Sequence, residues 1–176
     1  MTAAELVHLE LKRMHEALDG SLKGLTPEQR HTIVHVRANS IAWVVWHVVR
    51  TEDGIVRWVA QNRRPPVWTE GGYAEKLGLP PVAQGTGMTV AEAQGLRIKD
   101  LALFKDYVAR VWASTDELLA RPDRDTVLGK TIMVKPLGEM PGIVALGTVC
   151  LTHGMTHFGE IELARTLVGA APAAGV

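Results

Sequence analysis

A chain of 176 residues, 47% hydrophobic and 22% charged, is long enough to bury one sizeable core, and a single domain over residues 1–170 is expected, with a frayed tail at 171–176. Its 19 basic and 19 acidic residues cancel, which excludes the electrostatic footprint of a nucleic-acid binder or an anionic-membrane binder. The single Cys150 excludes an intrachain disulfide framework, and no apolar run reaches the roughly 18 residues of a membrane span, so a soluble, cytoplasmic protein is expected.

The first helix is predicted over about residues 2–23. Val7, Leu11, Met14, Leu18, Leu22 and Leu25 form the stripe of a bundle helix, which Gly24 and Pro27 bring to an end. His8 and His15 flank this stripe and are expected to be partly exposed. His31 and His35 fall in the following connection and are expected at the surface.

Asn39-Ser40 supplies a cap for a second helix that continues to about residue 62. Its first half, Ile41-Ala-Trp-Val-Val-Trp-His-Val-Val49, is apolar nearly all round, which predicts the most buried helix of the fold. His47 stands inside that run, where a polar ring needs a partner. Glu52 is expected on a solvated face.

Residues 63–88 hold four prolines and five glycines and read as a long crossover with one short helical turn at 73–77. Thr89-Val-Ala-Glu92 is a capping box that opens a third helix, predicted to run towards Pro122. A Gly129-centred segment, TVLGKTIMV, has the composition of a small hairpin. Pro141 fits the first turn of a fourth helix reaching about Gly169. The predicted fold class is therefore all-α: a four-helix bundle with a long crossover between helices 2 and 3 and a small hairpin before helix 4.

The fourth helix carries His153-Gly-Met-Thr-His157. Residues four apart share one helical face, so both rings can reach one ion. With His47 they make three imidazoles with coordination positions left open, the ligand pattern of catalytic metal sites. Glu160 follows three residues after His157, as a candidate base or as a partner that orients a ligand ring. Gly154 and Gly159 beside the pair suggest close approach of another helix or of substrate. Cys150 reads as a small buried hydrophobe. Trp43, Trp58, Trp68 and Tyr73 are candidates for an apolar pocket wall, although each is also a core residue by type.

Three segments together resemble one known family: Asn39 to His47, Gly71-Gly-Tyr-Ala-Glu-Lys-Leu-Gly-Leu-Pro80, and His153-x3-His157-Phe-Gly-Glu160. They are similar to the DinB-like superfamily, also called the YfiT-like metal-dependent hydrolases, and the resemblance covers nearly the whole chain. It implies a bundle, often a homodimer, with one divalent ion held by His47, His153 and His157. Zinc is the leading expectation and nickel or iron the alternatives. The resemblance further implies transfer of a low-molecular-weight thiol, such as bacillithiol, mycothiol or glutathione, to an electrophilic small molecule. Two other readings stand beside it. One is hydrolysis by water at the metal, and the other is a non-enzymatic, metal-stabilised stress-response dimer.

Overall fold

The computed structural model describes residues 1–173. Its first long helix, α1 (Ala3–Ser21), is capped by Thr2 and Glu5 in a reciprocal capping box. The predicted stripe is its inner face: Leu11, Met14 and Leu18 are fully buried, and Leu22 and Leu25 carry it past the helix end. A short α2 (Pro27–His31), with a capping box of its own from Thr26 and Gln29, occupies the expected polar connection.

The second long element is α3 (Ile41–Asp53), continued by a π-helical turn over Gly54–Val59. Ser40 caps it by accepting from the Trp43 amide. All thirteen residues of α3 are buried because the other three long helices of the bundle pack around it. That burial is why its sequence is apolar on every face. It also overturns the expected exposure of Glu52, whose carboxylate is 1% exposed and bonds His15 and Thr115. His15 is likewise buried, stacked on Trp112 with ring centroids 4.7 Å apart, and is not a flank residue. His8, the other flank residue, is partly exposed and bonds Asp116. His31 is half-buried, with Nδ1 donating to the Pro27 carbonyl and Nε2 accepting from the Ile98 amide, while His35 is exposed.

The crossover contains α4 (Val67–Glu70) and α5 (Tyr73–Leu77), the latter being the anticipated turn. Buried groups of α3 tie it down. The Asp53 carboxylate accepts from the Val67 and Trp68 amides at 2.8 and 2.9 Å and from the Tyr107 hydroxyl at 3.1 Å. The Arg50 guanidinium lies 4.7 Å over the Trp68 ring and reaches the carbonyls of Val82 and Ala83.

The predicted third helix is two helices. The Thr89–Glu92 box does cap one, but only the short α6 (Val90–Gly95), and α7 (Leu101–Ala120) starts afresh with Asp100 accepting from the Leu103 amide. Between them Leu96 and Ile98 are buried while Arg97 and Lys99 are exposed, the period-two pattern of extended chain. After α8 (Arg124–Gly129), β1 (Thr131–Val134) pairs antiparallel with β2 (Gly138–Pro141). The hairpin is present, but it turns at 135–137, and Gly129 ends the preceding helix.

The last long element combines α9 (Gly142–Ala145), a π-helical stretch Leu146–Thr152 and α10 (His153–Leu167). Four long helices thus form the bundle, with a two-stranded hairpin before the fourth. Of the expected tail, Ala171 accepts from Arg165 and the Ala173 amide donates to Glu162, while 174–176 lie outside the described residues. Among the described residues no helix is long and apolar enough to cross a membrane.

Candidate metal centre

α3 and α10 pack side by side, which brings His47 opposite His153 and His157. The Nε2 atom of His153 lies 3.2 Å from that of His47 and 3.1 Å from that of His157. Gly154 makes room for this packing. A Cβ there would fall 2.3 Å from the Met14 sulfur, so the glycine admits α1 against α10, as anticipated. A Cβ at Gly159 would meet nothing within 4 Å, so close approach does not explain that glycine.

The tautomers follow from the partners. Nδ1 of His47 donates to the Gln84 carbonyl, and Nδ1 of His157 donates to the Glu160 carboxylate at 2.8 Å. A carbonyl and a carboxylate only accept, so the Nε2 atom of each neutral ring carries a lone pair. Both lone pairs face His153 Nε2, which has at most one hydrogen to give. One close N···N contact therefore stays unsatisfied unless a cation or an extra proton joins the cluster.

Protonation is the disfavoured remedy. Burial first, and then the neighbouring imidazoles, push the His153 pKa down to about 4, and burial likewise lowers that of His47. A cation fits instead. Nitrogens at zinc-ligand distance and tetrahedral angle are separated by about 3.3 Å, close to the spacing of these atoms. Among the described residues no other group of three histidine, cysteine or acidic side chains converges in this way.

Two features hold His47. Trp43 stacks on its ring, with centroids 4.9 Å apart. Gly85, at φ +111°, lies against both rings, where a Cβ would stand 2.5 Å from His47 Nδ1 and 2.9 Å from Trp43 Cζ2. Ahead of α10 the π-helical stretch ends at His153, the first histidine of the cluster on this helix. Its wider turn shifts the register of every later side chain, a distortion frequent at functional sites.

Residues 10–161 match the DinB superfamily, which is most of the chain. The chain belongs to that superfamily. A solved structure described as the conserved protein of locus from Enterococcus faecalis is similar at 25% identity and TM-score 0.81, covering 96% of this chain and 98% of that one. No curated protein matches the sequence.

Within this DinB-superfamily bundle the remaining candidates separate clearly. Glu160 is placed on the Nδ1 side of His157, turned away from the converged nitrogens, so it orients the ring. Trp43 touches the site. Trp68 and Tyr73 do not: Trp68 packs between Trp46, Tyr73 and Tyr107, and the Tyr73 hydroxyl donates to Asp106. Trp58 is 49% exposed and lines a separate cleft at the π-helical turn that follows α3. Cys150 is buried outside the cluster, and burial pushes its thiol pKa well up, as befits a small core residue. Gln84 and Gly85 were not legible as site residues. The only signal for them was the glycine content of a long crossover.

Proposed function

We propose that this protein is a metal-dependent enzyme that joins a low-molecular-weight thiol to an electrophilic small molecule, with His47, His153 and His157 as the ligands. The observation that carries the reading is the convergence of three Nε2 atoms with at most one hydrogen among them, two of them on rings that Gln84 and Glu160 fix from behind. A divalent ion, zinc first and nickel or iron next, would supply Lewis acidity that lowers the pKa of a thiol or water reaching it.

The chain's own residues do the rest. Gln84 and Glu160 each hold an Nδ1 proton and so keep two Nε2 lone pairs turned to the same point. Trp43 and Gly85 restrict His47 to one ring orientation. His153 and His157 are only partly buried, which leaves the α10 side as the approach for substrate.

The choice of a thiol over water rests on acid–base chemistry. Glu160 is engaged behind His157, and among the described residues no second carboxylate joins the cluster to serve as a base. A thiol, with an ordinary pKa near about 8.5, starts about seven units closer to ionisation than bulk water, so the same ion ionises it with less help from a base. We further propose a cytoplasmic homodimer. The exposed Met155, Leu163 and Leu167 of α10 offer it an apolar face, and light scattering of the pure protein reports its mass.

The test is to give zinc-loaded protein an electrophile with bacillithiol, mycothiol or glutathione in turn. Turnover that requires one of these thiols supports the proposal. Thiol-independent hydrolysis of ester or amide substrates replaces it with the water reading. Metal-dependent thermal stability without turnover would leave a metal-stabilised stress-response dimer.

A further inference from the structure

A cleft of about 740 Å³, within the size range of small-molecule sites, lies apart from the three histidines. Gly54, Ile55, Trp58 and Val59 of the π-helical turn line it on one side, and residues of the crossover and of β1 line the others. Its charge is one-sided. Arg50, Arg63 and Lys135 all line it, and among the described residues no acidic one does.

Arg50 is 5% exposed, and its Nε is buried without a hydrogen-bond partner. Its other nitrogens reach the Val82 and Ala83 carbonyls at 3.3 and 3.5 Å and Asp53 at 3.8 Å, and the guanidinium stacks on Trp68, so Nε is the donor left unused. The Asp53 carboxylate is already taken by two amides and the Tyr107 hydroxyl. A buried guanidinium with an unused donor is costly unless an acceptor reaches it. Arg63 and Lys135 are exposed and make no ion pair among the described residues. The body of the cleft is apolar, with Trp58 and Met133 about half exposed at its surface.

We infer that this cleft binds a small molecule that joins an anionic group, carboxylate or phosphate, to a flat apolar body. The anion is held among Arg50, Arg63 and Lys135, and the body lies against Trp58 and Met133. Gln84 stands between this site and the histidines, lining the cleft while its carbonyl accepts from His47. The inference is independent of whether the histidines hold a metal.

Calorimetric titration of the full chain with 2-naphthoate, 2-naphthyl phosphate and neutral 2-naphthol tests it. At least one anion is expected to bind tenfold more tightly than 2-naphthol, and the tighter of the two assigns carboxylate or phosphate. Arg63→Glu/Lys135→Glu should weaken that anion at least tenfold, and raised salt should weaken it in the wild type. His153→Ala/His157→Ala should retain its affinity within about twofold. The inference is overturned if neither anion binds at millimolar concentration, or if 2-naphthol binds as tightly as both. It is overturned equally if the charge-reversed variant keeps wild-type affinity, or if binding disappears with the histidines instead.

Discussion

Gly85→Ala is the most informative single substitution, because two separate costs converge on one ligand. The backbone at Gly85 has φ +111°, a conformation that costs a residue with a Cβ roughly 1–2 kcal/mol. The added methyl would also stand 2.5 Å from His47 Nδ1 and 2.9 Å from Trp43 Cζ2, and relieving such overpacking costs roughly 1–3 kcal/mol. The expected loss of stability is therefore about 2–5 kcal/mol, read from urea denaturation. His47 is pushed away from the Gln84 carbonyl at the same time, so zinc affinity in a chelator competition should fall about 10–100-fold, as for other losses of a ligand's outer hydrogen bond. Gly87→Ala is the control, since φ is +82° there but a Cβ would meet nothing within 4 Å. It should cost only the backbone strain and leave zinc affinity unchanged. Wild-type zinc affinity in Gly85→Ala, or an equal loss in both variants, would refute the steric reasoning.

Removal of metal should expose a pH dependence. His153 has a folded-state pKa of about 4 against 6.5 for the free side chain, so below pH 6.5 the unfolded chain takes up the proton first. The metal-free protein should lose stability as pH falls from about 6.5 towards 4, and His153→Ala should flatten that slope in denaturant midpoints. The neighbouring glycines should respond in opposite directions. Gly154→Ala meets the Met14 sulfur, and an overpacking cost of about 1–3 kcal/mol against a helix-propensity gain of about 1 kcal/mol should leave it destabilised by up to about 2 kcal/mol, whereas Gly159→Ala meets nothing and should stabilise by up to about 1 kcal/mol in the same assay. Asp53→Asn should cost on the order of 2–3 kcal/mol, because an amide nitrogen replaces one acceptor facing the Val67 and Trp68 amides. It should also weaken zinc binding, because the released crossover carries Gln84.

The bundle and its histidine cluster were legible because each left a local signal. His153 and His157 are one turn apart, and His47 interrupts an apolar run that had no other use for a polar ring. What was misread depended on tertiary context. Glu52 looked solvated because charge usually marks an outer face, yet α3 has no outer face, and His15 and Thr115 supply its partners. The third helix was drawn too long because the Thr89–Glu92 capping box was read as opening one continuous helix, whereas it caps α6 alone and Asp100 caps α7. The extended stretch 96–99, with its period-two burial, separates the two. Gln84 and Gly85 contribute a backbone carbonyl and a missing Cβ, neither of which depends on side-chain chemistry that a sequence displays. Their placement comes from Asp53 and Arg50, which anchor the crossover thirty residues away in the chain.

The central claim is that three neutral imidazoles hold one divalent ion. Elemental analysis of the pure protein after zinc loading and desalting measures this directly, beside His153→Ala/His157→Ala treated identically. The predicted result is about one ion per chain in the wild type and little in the variant. Equal and negligible metal in both would contradict the account.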